Sequence, residues 1–506
     1  MSEPEPSAGQ ESSNRQDLSV DSPMQRLPHE LVVDVLEYLR PSGSLTTVAS
    51  NCQEPEIDSS FFTSRSSFAS LCLTSKWIHS LAIGYLYRTV VLASNLELLR
   101  FFRTISNNTR LRSMLTSFAW PVVLGSDEIE FDGWDIFVNE VYPDLDPQSW
   151  ASIAWDNTED QKSYNRMGLS KSIKAAYWQV LGGIFATAPN IKSIFVFHPN
   201  HRIGMVPCFP VYQMFMALLT PPQAPKTFLQ RLRTITLETW PGSPSHFVTK
   251  SLVGLLLNSP IYRLEIKFRF SMKEFREAIN EWQVTDFSAE SVRELFMLDV
   301  WSYPEELVHV KTIFPHLTSL EIEYESDHIA LDKSAIDGLR QGILGLSGTL
   351  ERLSLTCYQL FTPAPKDAEP TLPDLGSMGV LKHLTTTFFW LFGTKDITRE
   401  LERTDTLPPA LETLRLFDHS GHESWKAEEV YDQALTKLEE NCIHRLRNLK
   451  SVVFVLGTNY FDGNAPTLTA KFTKLFAQRG VEFRVITTEM SRGETFTSWA
   501  NIDSVN

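Results

Sequence analysis

The segment SAIDGLRQGILGLSGTLERLSLTC, residues 334–357, contains the pattern that decides the fold. Between Ile336 and Ile343 the apolar residues recur three and four positions apart, which is the spacing of one face of an amphipathic helix. From Leu350 onward the large apolar residues follow the pattern h-x-x-h-x-h, where h is apolar, which is typical of a short buried strand. The segment therefore predicts a helix, a turn and a strand.

The strand pattern recurs along most of the chain. The predicted copies start at Ile191, Leu232, Ile261, Val292, Leu317, Leu350, Leu381, Leu411 and Leu449, with an earlier copy at Leu115. From Ile191 onward, successive starts are 41, 29, 31, 25, 33, 31, 30 and 38 residues apart. Because so loose a pattern arises by chance roughly a dozen times in a chain of this composition, the regular spacing is stronger evidence than the number of copies.

Amphipathic helices precede five of these strands. Their apolar positions lie within residues 173–185, 248–256, 275–282, 336–343 and 431–442. A helix, a turn and a buried strand, repeated about every thirty residues, force parallel strands joined by right-handed crossovers. Neighbouring units then share one continuous core. The sequence therefore predicts an α/β fold with a parallel sheet.

A different pattern occupies the N-terminal part of the chain. The stretch LPHELVVDVLEYL, residues 27–39, predicts a helix that begins near Pro28, where the missing N–H costs nothing. The stretch at 67–92, SFASLCLTSKWIHSLAIGYLYRTVVL, predicts two further helices. These helices are too short to bury a core of their own, so their apolar faces either pack on the rest of the chain or bind another protein.

Four short motifs follow one another in this region: LPxEL, V-x-x-V-L-x-x-L, L-x-L-T-S-K-W and a closing LYR. In this order they resemble an F-box domain of the fungal type, covering residues 25–92, with an unusually long connection at 42–65. The resemblance implies contact with a Skp-type adaptor through Leu27, Pro28, Leu31, Leu36, Leu71 and Trp77. For Leu36 and Trp77, packing inside the F-box is the alternative.

The repeats at 93–488 resemble an irregular leucine-rich-repeat solenoid. They depart from that family in period, since most intervals exceed its usual length of about 20–29 residues. They also lack the Asn or Cys that the family has three residues after the last leucine; after Leu355 that position holds Tyr358. A compact α/β domain with the same local pattern is the alternative. The resemblance implies target binding by the residues between the strand leucines, namely Thr236, Glu238, Glu265, Lys267, Glu321, Glu323, Ser354, Thr356, Arg415 and Phe417. The glutamates in this set favour a basic target.

Taken together, the two resemblances imply a substrate receptor of a cullin-RING ubiquitin ligase of the SCF type. The F-box would dock on the adaptor and through it on the cullin, while the solenoid would bind the target protein. A leucine-rich-repeat scaffold without a ligase role, its N-terminal helices serving only as a cap, is one alternative. A degenerate enzyme fold is the other.

The sequence shows no pattern from which we predict catalysis or a cofactor. It contains no phosphate-binding glycine loop and no nucleophile elbow, and Gly342, Gly345 and Gly348 are interpreted as turn residues. The pairs His198-x-x-His201 and His419-x-x-His422 are interpreted as polar loop residues, because two ligands do not make a metal site.

An acidic and aromatic insert interrupts the pattern at 125–165. From Gly125 to Gln161 it contains eleven acidic residues and neither Lys nor Arg, together with six aromatic residues. This composition fits either a loop that binds a basic partner or a segment that covers the end of the solenoid.

Composition narrows the function classes. The chain has 506 residues, 42% hydrophobic and 21% charged, and its net charge of −15 argues against binding to nucleic acid or to anionic membranes. Five dispersed cysteines and the lack of an apolar leader predict a reducing compartment, cytoplasmic and/or nuclear. Residues 1–24 are predicted to be a disordered acidic tail and residues 489–506 a C-terminal tail.

Overall fold

The computed structural model describes residues 27–39, 59–92, 95–121, 184–185, 188–197, 230–238, 252–253, 255–257, 259–267, 271–281, 287–300, 304–324, 333–357, 372–392, 407–418, 426–457 and 465–488. These residues fall into two compact units, the first ending at Leu86 and the second beginning at Tyr87. The division lies inside the segment predicted to be F-box-like. The strand at Thr89–Val91 belongs to the second unit, because it pairs with the next strand of the sheet.

The first unit is built from three helices, α1 (His29–Tyr38), α2 (Ser59–Thr74) and α3 (Lys76–Arg88), of which α3 ends two residues beyond the division at Leu86. The predicted helix at 27–39 is confirmed, and the Pro28 carbonyl accepts a hydrogen bond of 3.2 Å from the Val32 N–H. α2 begins inside the predicted connection at 42–65. Ser75 separates α2 from α3, and its hydroxyl caps α3 by accepting a 3.1 Å hydrogen bond from the Ile78 N–H.

A small separate core holds the three helices together. Its buried members are Val32, Leu36, Phe68, Ile78 and Ala82. Phe68 of α2 stacks on Tyr85 of α3 with ring centroids 5.4 Å apart. The hydroxyl of Tyr85 donates a 3.1 Å hydrogen bond to Glu37 of α1, so all three helices meet at this point.

The second unit contains a sheet of twelve parallel strands, and neighbours in the sheet are neighbours in the chain. The strands are β1 (Thr89–Val91), β2 (Ser117–Pro121), β3 (Ser193–Phe197), β4 (Thr234–Glu238), β5 (Arg263–Lys267), β6 (Glu294–Val300), β7 (Ser319–Tyr324), β8 (Arg352–Cys357), β9 (His383–Thr387), β10 (Thr413–Asp418), β11 (Ser451–Gly457) and β12 (Glu482–Thr488). The predicted α/β class and parallel sheet are therefore confirmed.

The predicted strand positions agree with the observed ones. Each of the ten predicted starts lies two residues before the first residue of a strand, from Leu115 before β2 to Leu449 before β11. All ten leading residues are buried. In β9 the last position of the pattern holds Thr386, a polar residue that is buried all the same.

Helices connect many of the strands. Those described in the second unit are α4 (Asn95–Ser106), α5 (Thr109–Met114), α6 (Met272–Glu281), α7 (Val310–Ile313), α8 (Lys333–Gly345), α9 (Phe388–Phe392), α10 (Lys426–His444) and α11 (Ala465–Ala477), together with 3-10 helices at Pro304–His309 and Leu375–Ser377. α6, α8 and α10 confirm three of the predicted helices. Gly342 and Gly345 lie inside α8, so their interpretation as turn residues was wrong.

One continuous core lies on one face of the sheet. It extends from Val90 on β1 to Phe483 on β12 and is covered by the connecting helices. On β7 the core side chains are Leu320, Ile322 and Tyr324, and the residues in register with them on other strands face the same side. Residues in register with Ser319, Glu321 and Glu323 form the opposite side of the sheet, which we call the second face.

Candidate binding surfaces

An apolar stripe runs along the exposed side of α1. Leu27, Leu31, Val35 and Tyr38 are exposed by 40%, 49%, 42% and 89%. The last three are spaced four and three residues apart on one side of α1, and Leu27 lies just before the helix begins. Ten large hydrophobic side chains are exposed among the described residues, and four of them lie in this short stretch. We call these four residues the α1 stripe.

The residues predicted to contact an adaptor divide into three groups. Leu27, Pro28 and Leu31 are exposed, and Leu71 and Trp77 are half-buried against the small core. Leu36 is 1% exposed and belongs to that core. Its position agrees with the packing alternative that the sequence left open.

Sequence reasoning missed part of the α1 stripe. Val35 and Tyr38 were not among the predicted contacts, although their spacing from Leu31 was visible in the sequence. Leu73 on α2, which is 88% exposed, was also missed.

The predicted target-binding residues lie together on the second face. Strand register aligns one row of Thr236, Glu265, Phe296, Glu321, Ser354, Thr385 and Arg415. A parallel row includes Glu238 beside Lys267, Glu323 beside Thr356, and Thr387 beside Phe417. Strand register therefore assigns the positions of all ten predicted residues to the second face, and Phe296 is a member that the sequence did not single out.

The second face holds the side chain of Arg263. The Arg263 guanidinium lies 3.5 Å from a carboxylate oxygen of Glu265 and 3.5 Å from one of Glu294. It also lies 4.0 Å from the centre of the Phe296 ring, within the range of a cation–π interaction. Two carboxylates and an aromatic ring thus hold one guanidinium.

Glu321 lies one strand beyond Phe296 and has a different environment. Its side chain is nearly buried. Burial raises the pKa of this carboxyl to about 7, helped by the negative charge of Glu265 and opposed by Arg263, Arg352 and Arg415.

Two buried hydroxyls adjoin Glu321. Ser354 is its register partner on β8 and is 3% exposed, and Ser319 lies two residues before Glu321 on the same strand. Neither hydroxyl oxygen has a hydrogen-bond partner. Buried polar atoms in proteins are almost always paired, so the unpaired Ser319 and Ser354 oxygens are exceptions on this face.

The second face becomes apolar toward β12. Phe417, Val453 and Val455 form a separate buried cluster, with Ile486 packed against it. Phe417, predicted to bind a target, is therefore part of a hydrophobic cluster on the same face as the charged residues.

Several predictions fall on residues that the structure does not describe. Both His pairs, the insert at 125–165 and the two predicted tails lie outside the described ranges. Within those ranges no three His, Cys, Asp or Glu side chains are arranged to hold a metal ion. Among the described helices, none combines the length and the apolar character needed to cross a membrane.

Comparisons with protein-family models, with curated proteins and with solved structures give no match. The α1 stripe and the second face are therefore the observations from which a function can be inferred.

Proposed function

We propose that this chain is a substrate receptor of a cullin-RING ubiquitin ligase. In this proposal the N-terminal helices act as an F-box that docks on a Skp-type adaptor, and the sheet is a leucine-rich-repeat solenoid that binds the target. The observation that carries the proposal is the α1 stripe, because it leaves four large apolar side chains of a three-helix unit in water.

The physical argument concerns the two sides of α1. The inner side already supplies Val32 and Leu36 to the small core, so the folding of the unit does not require the outer side. Burying one Leu-sized side chain is worth about 1.5–3 kcal/mol, and apolar anchors of this kind dominate protein interfaces. A partner that covers Leu27, Leu31 and Val35 together would gain several such contributions.

The sheet supports the second half of the proposal. Parallel strands that follow chain order, separated by helices and irregular connections, fit a solenoid in which each unit packs only on its neighbours. Such an array presents one long face built from many strands. In a ligase the receptor supplies no chemistry and acts by raising the local concentration of the target near the transferring enzyme.

The test is binding of the full chain to a purified Skp-type adaptor. We expect the wild-type chain to bind and the double variant Leu31→Asp with Pro28→Ala to lose binding, because a carboxylate in the middle of the α1 stripe would have to be buried unpaired. Leu257→Asp is the matched control, since Leu257 is also exposed, by 39%, and lies in the second unit.

Unchanged adaptor binding by the double variant would refute the proposed docking surface. Failure of the wild-type chain itself to bind would instead favour an interaction scaffold without a ligase role.

A further inference from the structure

A row of residues lies at the edge of the sheet where the strands begin. Each member immediately precedes a strand, and its N–H donates to the carbonyl of the member before it. Arg233 donates to Lys192 at 2.8 Å. Tyr262 donates to Arg233 at 2.7 Å, and Arg293 donates to Tyr262 at 2.9 Å. The same ladder continues through Thr318, Glu351, Lys382, Glu412 and Lys450.

The C-terminal half of this row is electrically balanced. The ammonium of Lys382 lies 2.8 Å from a carboxylate oxygen of Glu351. The ammonium of Lys450 lies 2.5 Å from a carboxylate oxygen of Glu412. Acidic and basic members alternate here, so this half of the row presents no excess of either sign.

The N-terminal half of the row is basic. Lys192 and Arg233 are exposed, as is Arg231, which lies two residues before Arg233. Tyr262, between Arg233 and Arg293, is exposed by 46%, and Arg293 is half-buried. We call these four cations and Tyr262 the basic strip.

Among the described residues, the cations of the basic strip donate only to neutral acceptors. Arg231 donates to the amide oxygen of Asn190. Arg233 donates to three backbone carbonyls and Arg293 to two. Within the same part of the chain the Lys192 ammonium makes no hydrogen bond or ion pair, and no carboxylate pairs with any of the four cations. Their positive charge is therefore uncompensated, in a chain whose net charge is −15.

The three guanidinium groups are held in place but keep donors for a ligand. Every one of these hydrogen bonds comes from a single terminal nitrogen, Nη1. A guanidinium has five N–H donors in a planar fork, so Nε and the other terminal nitrogen can still donate. Such a fork binds a carboxylate through two parallel hydrogen bonds.

We infer that the basic strip binds an extended acidic segment of a partner protein, whose Asp or Glu side chains meet the cations one after another. The inference goes beyond the proposed function, which uses the α1 stripe and the second face, and does not depend on it. Adjacent strands are about 4.8 Å apart, so three strand steps separate Lys192 from Arg293 by roughly 14 Å. An extended peptide of about four or five residues spans that distance.

The arrangement favours a short acidic peptide over other ligand classes. A basic segment would meet like charge along the whole strip. A nucleic acid would extend beyond these few cations, and the net negative charge of the chain would repel its remaining phosphates. Carboxylates spaced along a peptide match cations that are spread over successive strands.

The experiment titrates the full chain against a fluorescein-labelled peptide of alternating Glu and Ser and follows fluorescence anisotropy. A peptide of alternating Lys and Ser and an oligouridylate of the same charge as the Glu peptide are compared with it. We expect the Glu peptide to bind more tightly than both, with an affinity that falls as salt rises. The double variant Lys192→Ala with Arg231→Ala should weaken binding about fivefold, because exposed ion pairs are individually weak.

Lys382→Ala with Lys450→Ala is the matched control. It changes the net charge by the same amount on the same edge of the sheet, but it removes cations that already have carboxylate partners, so peptide binding should be unchanged. Lys192→Glu is a second variant. Since the Lys192 side chain is exposed, this substitution should weaken binding while leaving the thermal unfolding midpoint at the wild-type value.

Three results would overturn the inference: no binding of the Glu peptide to the wild type, tighter binding of the oligouridylate, or equal losses in the two double variants. Occupation of the strip by the acidic insert of the chain itself would appear as the first of these. Adaptor binding is measured on the same variants and should be unchanged, so a failure here is distinguishable from a failure of the proposed function.

Discussion

Replacing Gly342 by alanine tests the packing of helix α8 against the 3-10 helix at Pro304–His309. A Cβ atom at position 342 would lie 2.5 Å from the carbonyl oxygen of Leu307 and 2.6 Å from its carbonyl carbon. These are backbone atoms, so a side-chain rotation cannot relieve the overlap. The close approach of the two elements therefore requires a residue without a side chain.

The expected magnitude follows from two opposing effects. Alanine in a helix interior normally stabilises by about 1 kcal/mol relative to glycine. At Gly342 the two elements must separate by about 0.9 Å to restore an ordinary contact, and overpacking of this kind costs about 1–3 kcal/mol. Because the strained atoms belong to the backbone, we expect the upper part of that range and a net loss of about 1–2 kcal/mol for Gly342→Ala.

Gly345 provides the matched control in the same helix. A Cβ there would lie 3.4 Å from the Cβ of Lys311, which is an ordinary contact, so Gly345→Ala should be neutral or slightly stabilising. Urea unfolding followed by circular dichroism compares the midpoints of the two variants, with the slope of the transition checked for constancy. Equal stability of Gly342→Ala and Gly345→Ala would refute the argument.

Two further predictions concern the sheet. The pKa of Glu321 rises from 4.5 to about 7 on folding, so the folded protein favours the protonated carboxyl. The contribution of this group to the free energy of unfolding is therefore fully present below pH 4.5 and is lost as the pH rises through 7. Urea midpoints should then show the stability of Glu321→Gln relative to wild type increasing by about 1 kcal/mol between pH 6 and 8, and a constant difference would contradict the assignment. Thr386→Val should raise the free energy of unfolding by about 1 kcal/mol, because it removes a buried hydroxyl that has no hydrogen-bond partner. Thr385→Val, on the second face, is the control and should leave the free energy of unfolding unchanged. Equal effects of the two substitutions would show that burial of the Thr386 hydroxyl is irrelevant.

The strand positions were the most predictable part of the fold, because the apolar pattern that places them is local. The two outermost strands were missed. β1 follows α3 directly, and its residues were assigned to the preceding helical domain. β12 follows Gly480, which has a φ of 72° and stands where the other strands have their leading apolar residue.

The character of the second face was only partly predictable. Alternation along each strand indicated which residues face away from the core. The environment of Glu321, however, depends on Glu265 and Ser354, which lie on other strands and are brought near it by register. Likewise, the three-residue spacing of Gly342, Gly345 and Gly348 contained no local sign that Gly342 contacts a preceding 3-10 helix, since that contact joins residues far apart in the chain.

The strands lie in the sheet in the same order as in the chain, and this arrangement affects how the sequence of such a protein can change in evolution. Each strand forms its ladder only with the strands before and after it, so lengthening a connection leaves every ladder intact. The unequal intervals between strand starts, from 25 residues between β6 and β7 to 76 between β2 and β3, are an expression of that freedom. Duplication or loss of one helix–strand unit would likewise shift the remaining strands along the array without changing which side chains face the core. Residues of the second face can therefore diversify from unit to unit while the leucine positions stay fixed by packing.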